Sequence, residues 1–214
     1  MIRNIILDFD GTIADTQALI VKTLQDTMSQ HDLAVLPANV CAKTIGLRLD
    51  ESFATLFPHL TPDEAKSCAA SYRAIFDENK KTIRVQPFPN VISTILQLHD
   101  LGHSIAIASS RGRESLLAYV EQMRLQQAIS VIVAADDVSR VKPDPEMALK
   151  AIAQIGGEPQ DAIVVGDMIF DIQMGKSAHM KTCAVTYGNG TPEQLASADY
   201  VIDDFKLLLP IVQQ

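Results

Sequence analysis

The segment Asp8-Phe9-Asp10-Gly11-Thr12 follows directly on the apolar run Ile5-Ile6-Leu7. The run reads as a buried strand, which places two carboxylates at its end, where a glycine turns the chain. Carboxylates that close repel one another and resist burial unless a cation or a titrating proton compensates. A hard-metal site with catalytic work attached explains the pattern. A strand followed by an Asx-type turn is the purely structural alternative.

The pattern of an apolar run ending in polar residues recurs three times. Ser104-Ile105-Ala106-Ile107-Ala108 leads into Ser109-Ser110-Arg111. Val131-Ile132-Val133 precedes an acidic loop and then Lys142-Pro143-Asp144-Pro145, and Ala162-Ile163-Val164-Val165 leads into Gly166-Asp167, with Asp171 four residues on. Taken singly, Ser109 is a strand-end serine, Lys142 a surface lysine and Asp167 or Asp171 a helix cap. In open parallel sheets, however, ligands bind outside the carboxyl ends of the strands, so these four ends converge on one crevice.

The elements that position these residues follow from hydrophobic patterning. Strands are expected at 4–8, 104–109, 130–134, 162–166 and 181–185, alternating with helices at about 90–101, 113–124, 145–156 and 169–178, the rhythm of right-handed βαβ units. Pro145 suits the first turn of its helix and Gly156-Gly157 its end. A short strand near 199–202 and a helix after Asp203 complete the core. The interval from about 15 to 82 breaks the rhythm. It reads as helices only, interrupted at Pro37, Gly46 and Pro58 through Pro62, and Pro87-Phe88-Pro89 stiffens the return. Placed just after the first acidic loop, such an insert reads as a helical lid able to close over the crevice.

Bulk properties narrow the function. The chain has 214 residues, 47% of them hydrophobic, enough for one α/β core and a small second unit. A net charge of −8 with dispersed Lys and Arg lacks the electrostatic footprint of a nucleic-acid binder. Three widely spaced cysteines, Cys41, Cys68 and Cys183, indicate neither a disulfide framework nor a zinc site and read as reduced core residues. The five histidines show no metal-ligand spacing. Without a signal-like segment or a transmembrane-length run, a cytoplasmic protein that engages no membrane is expected.

The four motifs, in this order at strand ends, resemble those of haloacid dehalogenase superfamily phosphohydrolases, in the branch that contains the phosphoglycolate phosphatases. The resemblance spans nearly the whole chain and extends to Val185-Thr186-Tyr187-Gly188-Asn189-Gly190 and Ala198 to Ile202. It implies an α/β fold, with a Rossmann-like parallel-sheet core of residues 1–14 and 83–214 and a small inserted all-helical cap of residues 15–82. It also implies a Mg2+-dependent phosphoric monoester hydrolase acting on a small phosphorylated metabolite, phosphoglycolate being the nearest guess, through an aspartyl-phosphate intermediate. By resemblance, Asp8 is the nucleophile and Asp10 the general acid. Ser109 binds a phosphoryl oxygen, Lys142 neutralises charge, and Asp8, Asp10 (through its carbonyl) and Asp167 hold the metal, with Asp171 behind them.

The stretch Thr44 to Ser52 resembles the branch's substrate-facing cap loop, with Gly46 allowing close approach and Arg48 available to an anionic leaving group. Beside Asp50 and Glu51, Arg48 reads equally well as a solvated ion pair. Ser110 and Arg111 are further substrate-contact candidates. The second acid, Asp10, argues against dehalogenation. Asp15 to Ile20 lacks the histidine that gates water in the superfamily's sugar-phosphate mutases with this cap. The alternatives are an inorganic pyrophosphatase, a sugar-phosphate phosphatase or mutase and, outside enzymes, a non-catalytic regulatory binding protein. Either a monomer or a homodimer is compatible with the chain.

Overall fold

The structure is a computed structural model that describes residues 2–213. Six parallel strands form one sheet: β1 (Asn4–Leu7), β4 (Ser104–Ala108), β5 (Val131–Val133), β6 (Ala162–Gly166), β7 (Lys181–Val185) and β8 (Tyr200–Ile202). Their spatial order is β5-β4-β1-β6-β7-β8, so β1 is central. This is the expected Rossmann-like α/β core. Both faces of β1 are covered: Ile5 and Leu7 enter one hydrophobic cluster and Ile6 the other. That double burial is why the strand reads as a continuous apolar run rather than an alternating one.

Helices α5 (Val91–Asp100), α6 (Arg113–Gln122), α7 (Glu146–Ile155) and α8 (Ile169–Ser177) fall where the patterning puts them, each shorter by a residue or two at its ends. Pro145 sits at the cap position of α7 rather than inside it. Two features lie below the reach of periodicity: a four-residue helix α9 (Pro192–Leu195), and a two-stranded antiparallel ribbon of β2 (Ala14–Asp15) and β3 (Gln86–Pro87). The expected helix after Asp203 is a 3-10 turn followed by α10 (Leu208–Val212).

Between the ribbon strands the chain is helical, with α1 (Gln17–Gln30), α2 (Ala38–Cys41), α3 (Leu49–Leu56) and α4 (Pro62–Asn79). Helix α4 opens on a reciprocal cap in which the Thr61 N–H donates to Glu64 Oε2 at 2.8 Å and the Glu64 N–H to Thr61 Oγ1 at 3.3 Å. Leu19, Leu24 and Met28 of α1 share a core cluster with Cys68, Tyr72 and Phe76 of α4. The three cysteines are buried and unpaired. Among the described residues no helix is long and apolar enough to cross a membrane.

Candidate active site

The parallel register brings the four strand ends together. The Asp8 N–H donates to Val165 O at 2.9 Å and the Ser109 N–H to Val133 O at 3.0 Å, so each polar residue stands one step past its strand, beside its neighbour's end. Asp8, Lys142, Asp167 and Asp171 form a buried cluster, exposed by 5%, 1%, 0% and 2%. One carboxylate oxygen from each of the three acids lies within 4.8 Å of the others. The Lys142 ammonium pairs with Asp8 and lies 2.7 Å from Asp171 Oδ1. That contact is poorly aligned for a hydrogen bond, and among the described residues Asp171 Oδ1 has no other partner.

With all three acids ionised, three carboxylates against one ammonium would leave two uncompensated negative charges in a buried cluster. Burial holds the Asp8 carboxyl well above the usual carboxylate range; Lys142 opposes this, and Asp171, Asp167 and Asp10 reinforce it. Burial likewise pushes Asp167 up to about 7, aided by Asp171, against two hydrogen bonds from Asn189 and the charge of Lys142. Burial disfavours the Lys142 ammonium, but Asp171 and Asp8 outweigh it and hold the group above the usual lysine range. A divalent cation would neutralise the excess, and the oxygen-only donor set suits a hard ion.

The three acids are not equally free to bind one. Asp171 Oδ2 accepts the Met168 N–H at 3.0 Å at the start of α8, and its Oδ1 faces Lys142. Asp167 Oδ2 accepts the Asn189 N–H and Nδ2 at 2.6 and 2.9 Å, while its Oδ1 has only the Thr12 hydroxyl at 3.3 Å. Asp8 and Asp167 therefore fit as direct ligands and Asp171 as the acid that holds Lys142. Gly11 is required here on two grounds. Its φ is +90°, and a Cβ would lie 2.1 Å from Asp167 Oδ2.

Asp10 stands outside the triad. Arg111 clamps its carboxylate from two nitrogens, Nε to Oδ2 at 3.1 Å and Nη2 to Oδ1 at 2.5 Å, and also donates to Ser115 Oγ at 2.9 Å. The guanidinium lies 5.0 Å from the centroid of Phe76, 5.2 Å from Tyr119 and 5.8 Å from Phe9. Phe9 and Tyr119 belong to the sheet unit and Phe76 to α4, so the clamp is built from both parts of the chain. Arg111, a substrate-contact candidate by sequence, is thus committed first to Asp10.

Ser109 is buried, and its hydroxyl accepts the Arg111 N–H at 3.3 Å. The Ser110 hydroxyl donates to Gly46 O at 2.5 Å, which ties the 44–52 loop to the sheet. Gly46 has φ +98°, and a Cβ there would meet nothing nearer than 3.5 Å. The backbone conformation calls for glycine, and Gly46 lines the cavity beside Ile45 and Leu47. Arg48 is not brought to the crevice: Nε pairs with Asp50 Oδ1 at 3.2 Å, and its side chain is absent from the cavity lining. The solvated ion pair is the reading the geometry favours.

Two residues with site roles went unassigned by sequence. Asn189 orients Asp167, and Tyr187 donates to Thr12 O at 2.9 Å to brace the first acidic loop. The loop signal Tyr187-Gly188-Asn189-Gly190 marked the segment but no individual role. A cavity of about 370 Å³ opens from Asp8, Asp10 and Ser109 toward the helical insert.

Residues 5–185 match the family model described as haloacid dehalogenase-like hydrolase. The chain is 31% identical over 213 residues to a pyrophosphatase PpaX of Halalkalibacterium halodurans, covering 99% of this chain and 97% of that one. It is 30% identical over 207 residues to a probable phosphatase IndB of Dickeya dadantii, covering 94% and 89%. In fold it resembles a crystal structure described as a predicted phosphoglycolate phosphatase from Haemophilus somnus. The TM-score is 0.85 at 22% identity, covering 99% of this chain and 98% of that one.

Proposed function

This chain belongs to the haloacid dehalogenase-like hydrolases, and on that premise we propose that it is a magnesium-dependent phosphatase of a small phosphomonoester, working through an aspartyl phosphate on Asp8. The observation that carries the reading is the buried set of three acids and one lysine at the carboxyl edge of the sheet, an excess of two negative charges once all three acids ionise. Such a set is costly for the fold alone and useful once a dication and a phosphoryl group arrive.

The chain's own residues account for both half-reactions. A carboxylate oxygen of Asp8 forms a bond to phosphorus as the ester P–O bond breaks. The departing alkoxide takes a proton from Asp10, released from the Arg111 clamp enough to reach it. Asp10 then accepts a proton from water as the water oxygen attacks phosphorus, which returns Asp8 as a carboxylate and frees inorganic phosphate. Lys142 offsets charge on Asp8 and the phosphoryl oxygens, and the Ser109 hydroxyl donates to one of them. Magnesium, held by Asp8 and Asp167 with the carbonyl of Asp10, supplies Lewis-acid polarisation and charge shielding when bound.

Pyrophosphate is the second reading, favoured by the naming of several relatives. The test is phosphate release from phosphoglycolate, hexose phosphates, nucleoside monophosphates, aryl phosphates and pyrophosphate, with magnesium and with chelator. Magnesium-dependent release from monoesters supports the proposal. Release from pyrophosphate alone supports the second reading, and silence throughout leaves a binding role.

A further inference from the structure

We infer that the group esterified to the phosphate is an uncharged, partly apolar alcohol, larger than glycolate and unlike a second phosphate; this rests on the phosphatase reading above. The cavity of about 370 Å³ is of the size that holds small organic ligands. Away from Asp8 and Asp10 the helical insert gives its wall six apolar side chains, Ile20, Leu24, Ile45, Leu47, Leu49 and Phe76, with Thr44, Ser52 and Tyr72 between them and Ser110 and Ser115 opposite. Polar groups buried against such a wall without partners are costly, and charged ones more so.

Most of the cations at hand are already engaged by acids. Three line the cavity: Arg73, Lys80 and Arg111. Arg111 is clamped on Asp10, and Lys80 pairs with Asp77 at 2.5 Å. Arg73, exposed and without an ion pair among the described residues, is the one cation left, and the exposed acids Asp77, Glu114 and Asp136 line the same cavity. Lys142 is engaged by Asp8 and Asp171, and Arg48 is turned to Asp50. A carboxylate or second phosphate on the leaving group would meet an apolar wall and an acidic rim. A hydrocarbon portion would instead displace water from six apolar side chains.

The experiment measures kcat/KM with magnesium for ethyl, butyl, hexyl and phenyl phosphate beside phosphoglycolate and pyrophosphate. The expected result is a rise of about three- to fourfold per methylene from ethyl to hexyl phosphate, the gain typical of a buried CH₂. Hexyl and phenyl phosphate should then exceed phosphoglycolate and pyrophosphate. Leu47→Lys should lower the ratio of hexyl phosphate to pyrophosphate by at least tenfold. If that variant does not fold, the chain-length series on the unmodified protein decides alone. A flat series, or pyrophosphate or phosphoglycolate above every alkyl and aryl ester, overturns the apolar subsite and leaves the phosphatase reading standing. Hydrolysis of pyrophosphate but of no monoester overturns both.

Discussion

Replacing Asp167 by Asn should stabilise the metal-free protein at alkaline pH and abolish its response to magnesium. The Asp167 carboxyl is fully buried and sits at about 7 rather than 3.8, chiefly because burial disfavours its charge. A raised carboxyl pKa means that the folded state binds more protons than the unfolded chain between those two values. Its contribution to stability is therefore unchanged below about pH 4, falls as pH rises, and is fully lost above about pH 7. Moving one carboxyl that far corresponds to about 4 kcal/mol. Asn fits the same space: its Oδ1 can accept both Asn189 donors, and its Nδ2 can donate to the Thr12 hydroxyl, which now faces Asp167 Oδ1 at 3.3 Å. Urea unfolding in chelator at pH 5 and pH 8 should show the unmodified protein losing stability with pH and Asp167→Asn losing roughly 3 kcal/mol less, since the carboxyl has already lost part of its proton advantage by pH 5. At a hundredfold excess of magnesium over its Kd, the unmodified protein should regain about 2.7 kcal/mol and the variant nothing. Parallel pH dependences for the two proteins, or a less stable Asp167→Asn at pH 8 in chelator, would refute this account of the buried charge.

Other consequences are as specific. Arg111→Lys removes the two-pronged clamp and the aromatic seat of the guanidinium; the single-turnover rate of phosphoryl transfer from alkyl phosphates should fall at least tenfold, while the first-turnover release of dinitrophenolate from 2,4-dinitrophenyl phosphate, whose leaving group needs no proton, should be nearly as before. Equal losses on both substrates would point to a substrate-binding role for Arg111 instead. Gly11→Ala introduces both a strained φ and a clash with Asp167; it should cost roughly 2 kcal/mol or more in unfolding and eliminate turnover, and a functional Gly11→Ala protein would contradict the loop geometry. Gly46→Ala carries the strain without the clash; about 1 kcal/mol of destabilisation with activity retained is expected from thermal unfolding and the phosphate-release assay.

The legibility of the site in the sequence followed from how parallel sheets work. Where a strand is buried on both faces its residues are uniformly apolar, so Ile5-Ile6-Leu7 and Ala162 to Val165 mark their own ends, and the first polar residues beyond them are the ones the sheet converges. Asp8, Ser109 and Asp167 were visible for that reason, and Lys142 because it followed in order. What stayed hidden depended on contacts between distant segments. The Arg111 clamp needs Phe9, Phe76 and Tyr119 in one place, and no spacing in the chain brings them there. Asn189 acts through a backbone N–H and one amide in a glycine-flanked loop, which leaves no periodic trace. The β2–β3 ribbon, two residues per strand, is too short for alternation to register. Arg48 had the right charge in a suggestive loop, and its neighbour Asp50 captured it.

The most direct test of the central claim is rapid acid quench of the protein turning over an aryl phosphate with magnesium, followed by peptide mass spectrometry. The account predicts a phosphoryl adduct on the peptide containing Asp8, absent in chelator and absent in Asp8→Asn, which should also release no phosphate. Full turnover with no adduct at any quench time, and a rate retained in Asp8→Asn, would contradict it.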